Sequence, residues 1–72
     1  MSNVWVGITV ITIGDSSVEL ELHENDEGRT VVATIQDGSA TETQVRNIIE
    51  ELSEFFGCKL NGIEVRKEAD NE

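Results

Sequence analysis

Glu19, Glu21 and His23 alternate along one short segment, V-E-L-E-L-H-E over residues 18 to 24. In an extended strand that spacing puts all three on one face. Two carboxylates and an imidazole are donors that can hold a divalent metal. An open strand face offers no cavity to strip the ion of water or to fix its geometry, so a solvated face is expected there and no metal. Cys58 is the one thiol. A reactive thiolate is favoured by a helix N-terminus or by basic neighbours. Cys58 follows a helix C-terminus instead, where the dipole has the wrong sign, and a small buried or half-buried residue is expected. Ser16, Ser17 and Ser39 have no histidine and acid placed for nucleophilic work. Gly14 and Gly28 do not make a phosphate loop. The run from Asn25 to Gly28 is too short for a calcium loop, and Asp15, Asp26 and Asp37 sit where Asx turns use aspartate. No catalytic residue, cofactor site or metal site is expected, and the chain is not expected to be an enzyme.

The charge itself is the remaining chemistry. Fifteen acids against five bases give a net charge of −10. Phosphate contacts need the opposite sign, so direct binding of DNA or RNA is not expected, and neither is binding to an anionic membrane. Glu42, Glu50, Glu51 and Glu54 line the expected helix and its flanks. Glu19, Glu21, Glu24, Asp26 and Glu27 lie on the second strand and its turn, and Glu64 and Glu68 on the last strand and tail. Acids two apart on a strand stand about 6.6 Å apart along it. Such a ladder can stand in for a nucleic-acid backbone in the groove of a basic protein. Small, very acidic inhibitors made by phages and mobile elements act in this way on restriction enzymes, CRISPR effectors and repair enzymes. The analogy is one of class and rests on charge alone. The expected function is therefore non-catalytic inhibition of a basic nucleic-acid-binding protein by charge mimicry, of the anti-CRISPR or anti-restriction type, with Glu19, Glu21, Glu50, Glu54 and Trp5 as partner-binding residues. A surface that only keeps the chain soluble, or adapts it to high salt, would also explain the acids.

The elements that must position these residues read as one small domain over 1–72. The stretch from Ser39 to Gly57 is the single strongly periodic helical signal. Val45, Ile48, Ile49, Leu52, Phe55 and Phe56 recur at steps of three and four, forming a stripe able to cover a sheet. Ser39 with Glu42, and Thr41 with Gln44, each fit a capping box, and Gly57 fits the stop. Both phenylalanines fall in the last turn, so that end is expected to be the most heavily packed. Residues 4 to 13 form an uncharged strand, apolar on both parities and expected to be central. A turn at Gly14–Ser17 leads to the alternating strand, with Val18, Leu20 and Leu22 inward. After a turn at Asn25–Gly28, a third strand turns Val31, Ala33 and Ile35 inward. A last strand within 58–67, broken or opened late at Asn61–Gly62, turns Ile63 and Val65 inward. Residues 68–72 read as a frayed tail.

The expected fold is α+β: a single-layer mixed sheet of four strands in the order β-β-β-α-β, with the helix on one face. The last strand is expected beside the first, giving 3-2-1-4, with a place beside the third as the alternative. If the first strand turns Val4, Val6, Ile8 and Val10 inward, then Trp5, Ile11, Ile13 and Val32 are left on the open face. That patch suggests an interface, such as a homodimer through Trp5, Ile11 and Ile13. The second functional expectation is accordingly a structural or accessory subunit that forms a homo-oligomer through the open sheet face. The N-terminus lacks a basic segment and a continuous apolar core, and no run approaches a membrane span, so a cytoplasmic protein is expected.

Overall fold

The computed structural model describes residues 4–68, apart from the side chains of Val4 and Trp5. Strands β1 (Val4–Ile13), β2 (Ser16–Asn25) and β3 (Gly28–Asp37) precede helix α1 (Glu42–Phe55), and strand β4 (Gly62–Lys67) follows it. The sheet order is β1-β2-β3-β4, with antiparallel pairs β1–β2 and β2–β3 and a parallel pair β3–β4. The α+β architecture and the order β-β-β-α-β are as expected. The place of the last strand is corrected: β4 lies beside β3, not β1. One helix joins β3 to β4, and the shortest crossover from β3 returns to its immediate neighbour. The backbone N–H of Asn61 fastens the return by donating to the carbonyl of Arg29 at 2.6 Å. As a result β1, the least charged strand, stands at the edge of the sheet.

Turn chemistry accounts for the two hairpins. Gly14 has φ +61° and begins the two-residue link of β1 to β2, a place that calls for glycine. In the second link Asn25 Oδ1 accepts the N–H groups of Glu27 and Gly28 at 2.9 and 3.1 Å, as an Asx turn does. The helix start is resolved in favour of Thr41. Its Oγ1 accepts the Gln44 N–H at 3.1 Å, and Gln44 Oε1 accepts the Thr41 N–H at 2.9 Å, a complete capping box. At the other end Gly57 takes φ +69°. The Cys58 N–H reaches the Ser53 carbonyl at 2.8 Å and the Gly57 N–H reaches that of Glu54 at 3.2 Å, the paired bonds of a Schellman ending.

The core is a single layer between one sheet face and α1. Val18, Ala33 and Ile35 from the strands meet Val45 and Ile49 from the helix, with Ala40 closing the top. Ile11, Ile13, Leu20, Val31, Leu60, Ile63 and Val65 pack against this cluster. Strand register explains the parity. Ile11 lies across from Val18 and Val18 from Ile35, so all three share the helix side. The expected parity of β1 is therefore reversed: Ile11 and Ile13 turn toward the helix, and Val6, Ile8 and Val10 are the exposed ones, at 47, 46 and 57%. A register shift between Trp5 and Gly7 interrupts the alternation at the start of the strand.

A polar clasp ties the first hairpin to the start of the helix. Ser16 is fully buried, and its Oγ accepts the N–H of buried Ala40 at 2.8 Å. Asp15 Oδ1 accepts the Ser39 N–H and Oγ–H at 3.1 and 3.0 Å. Those bonds, led by the Ser39 N–H, hold the Asp15 carboxyl below its ordinary range. Ser39 is thus used here and not as the helix cap. Gly38, with φ +96°, passes so close to Ser16 that a side chain would overlap the Ser16 backbone.

Candidate functional site

The sheet presents two different faces. On the helix side the lower rows run Gly7–Leu22–Val31–Ile63 and Thr9–Leu20–Ala33–Val65 across the four strands. Among the strands, the helix backbone comes closest to β4, and at the far end of β1 the side chains on this face, Gly7 and Thr9, are too small to fill the gap. A groove of about 410 Å³ opens there, floored by Thr9, Leu20 and Leu22 and walled by Leu52 and Phe56. The expectation of a heavily packed helix end is corrected accordingly. Phe55 is 80% and Phe56 71% exposed, their rings meeting edge to face at 5.0 Å.

On the open side, Glu19, Glu21 and His23 project as expected, each beside a particular neighbour. Ile8, Glu21, Val32 and Glu64 form one row; Val10, Glu19, Thr34 and Arg66 form the next. Glu21 lies 3.2 Å from His23 Nε2. Glu64 is held by Arg66 at 2.6 Å, and Glu19 accepts from Gln36 Nε2 at 3.2 Å. The acids here are interleaved with apolar, hydroxyl and basic side chains and do not form an unbroken anionic ladder. Trp5 lies across from His23 in register; its side chain, and with it that part of the expected contact, lies outside the described residues. No group of three or more metal-ligating side chains is gathered among the described residues.

Glu50 and Glu54 stand elsewhere. Val45 and Ile49 turn α1 onto the sheet, and the helical period then points Glu50 and Glu54 away from it. One helical turn separates them, about 6 Å along the axis, and Glu51 flanks them. All three are exposed. Among the described residues none of the three has an ion-pair partner. The arginines are committed elsewhere: Arg29 to Glu24 at 3.4 Å, Arg66 to Glu64, and Arg46 to the Ile63 carbonyl at 3.1 Å. The four expected carboxylates are thus split between opposite sides of the layer, with Glu19 and Glu21 on the sheet and Glu50 and Glu54 on the helix.

Cys58 is half-buried, and Arg29 Nη1 donates to its Sγ at 3.6 Å, a neighbour that reading along the chain did not anticipate. The 68–72 tail expectation meets one described residue: the Glu68 N–H donates to the Ile35 carbonyl at 2.9 Å, extending the β3–β4 ladder by one bond. Residues 69–72 lie outside the described part. Among the described residues no helix is long and apolar enough to cross a membrane. The free edge of β1 and the groove beside it were missed. The small residues Gly7 and Thr9, on the same parity as Ile11, were the available signal that the helix would not cover this corner. Comparisons with protein-family models, with curated proteins and with solved structures return no match.

Proposed function

We propose that the chain is a small, acidic, non-catalytic binding protein. It acts as an inhibitor by occupying the basic groove of a nucleic-acid-binding protein, as anti-restriction and anti-CRISPR proteins of phages and mobile elements do. The supporting observation is the outer face of α1. Glu50 and Glu54 sit one turn apart, exposed and without an ion-pair partner among the described residues, while the three arginines are bound elsewhere. Like charges at that spacing cost a helix about 0.2–0.5 kcal/mol, a cost that a ring of partner cations would reverse. Glu19 and Glu21 belong to a second, weaker contact on the other side of the layer. The test is competition. Restriction, CRISPR-effector and repair proteins are loaded with labelled oligonucleotide, and release is followed by anisotropy. Displacement from at least one of them, weakening as salt rises and lost in Glu50→Lys/Glu54→Lys but largely kept in Glu19→Lys/Glu21→Lys, is the expected result. A double reversal on the helix that leaves displacement unchanged rejects the reading.

A second reading, a subunit that associates with its own copies, is favoured by a separate observation: the exposed row Val6, Ile8 and Val10 on the open side of β1.

A further inference from the structure

The geometry points to a seam along the outer edge of β1, where a second copy of the chain pairs antiparallel with its own β1 to make one continuous eight-stranded sheet. This deepens the self-association reading and is independent of the acidic helix face. Three observations support it. First, β1 is an edge strand, ten residues long. Nothing among the described residues pairs with its outer side. Proteins commonly blunt such edges with charge, proline, a bulge or a cover; β1 has an irregularity only at its start, between Trp5 and Gly7, and residues 1–14 contain no charged residue and no proline. Second, the register shift lies at Trp5/Gly7, so the regular part of the edge runs from Gly7 to Ile13. Its midpoint is Val10. A two-fold axis there sets Val10 opposite Val10 of the second copy and Ile8 opposite the other Thr12, an isologous and self-complementary contact. It covers Val10, the more exposed of the two valines whose side chains are described in this strand.

Third, charge selects the occupant. The chain carries −10, and two copies can meet only where acids stay apart. Across this seam the nearest acidic row reads Glu19, Val10, Val10 of the second copy, Glu19 of the second copy. That is three strand spacings, or about 14 Å, beyond the screening length of about 8 Å at physiological salt. A basic strand added at the same edge would stand two spacings, about 10 Å, from the β2 acids, with the apolar row of β1 between, and would gain little from them. The strip is about 24 Å long, small beside a standard interface of about 1,600 Å². The dimer is therefore concentration-dependent, and it tightens as salt rises, opposite to the binding of a basic partner.

The test uses the full chain. Sedimentation equilibrium from micromolar to about 1 mM should show a monomer–dimer equilibrium shifting toward dimer at higher salt. Amide exchange by NMR at the two ends of that range should show new protection at alternate residues of Gly7–Ile13 in the dimer. Val10→Lys should keep the circular dichroism of the parent and stay monomeric. A wild-type monomer at the highest concentration overturns both the seam and self-association. A dimer with no new protection in β1, or one that persists in a folded Val10→Lys variant, overturns the seam and leaves association through another surface.

Discussion

Replacing Ser16 by alanine probes the clasp that sets the helix on the sheet. Ser16 is fully buried, and its Oγ receives the Ala40 N–H at 2.8 Å just before the helix begins. Alanine fills the same space less one oxygen, so the packing change is small. The cost comes from Ala40, whose N–H stays buried with no acceptor, about 1–3 kcal/mol. A domain of this length has a total stability of about 4–11 kcal/mol, so the loss is a large share. At about 4–8 °C per kcal/mol for small domains, a 2 kcal/mol loss lowers Tm by about 8–16 °C. The control is Ser39→Ala. Ser39 is exposed, and water can replace its Oγ contact with Asp15, so its cost stays within about 0.5 kcal/mol. Urea unfolding followed by circular dichroism, at one fixed protein concentration so that association does not shift the midpoint, measures both. The expected result is a lower midpoint with an unchanged slope for Ser16→Ala. Equal midpoints for the two variants would show that the buried bond contributes nothing and that the helix is held by apolar packing alone.

The exposed phenylalanine gives a second test. With 80% of Phe55 exposed, about 40 Å² remains buried, worth about 1 kcal/mol at 25 cal/mol per Å². Its edge contact with Phe56 adds about 0.5–1.5 kcal/mol. Ile49→Ala, in the core at 4% exposure, should cost about 2–5 kcal/mol. Thermal unfolding should therefore rank the smaller residue as the more damaging loss, and the reverse order would place the helix end in the core. Asp15 supplies a pH test. Its folded carboxyl titrates below its ordinary value of 3.8 because Ser39 and Ser16 donate to the charged form. The stabilisation is present above the unfolded pKa and is lost as pH falls through the lower folded one. The stability gap between wild type and Asp15→Asn should hold from neutral pH down to about 4 and narrow below it; a gap constant into stronger acid would contradict the assignment.

Polarity along the chain was enough to determine the five elements, the helix stop at Gly57, the inward sets of β2, β3 and β4, and the outward set of β2; it left two capping boxes open, and the fold chose Thr41 with Gln44 over Ser39 with Glu42. Each depends on a period or on a local backbone requirement: alternation in Val18–His23, the three-and-four spacing through Val45 and Ile49, and glycine at 57. Only the tertiary structure decided the neighbour of β4, the parity of β1 and the cover over the helix end. β1 is apolar on both faces, so alternation cannot say which side meets the helix. Packing chose Ile11 and Ile13 because Ile11 falls in register with Val18 and Ile35, and Ile13 with the buried Ser16. A stripe of apolar residues likewise says that a helix can bury them, not that sheet lies underneath. With α1 drawn toward β4, the lower part of the stripe extends past the residues it could have covered, and Phe55 and Phe56 remain in water. The acids divide in the same way. Their number is a property of the chain, but which carboxylates share a surface depends on how the layer is folded, and the layer puts Glu19 and Glu21 on one side and Glu50 and Glu54 on the other.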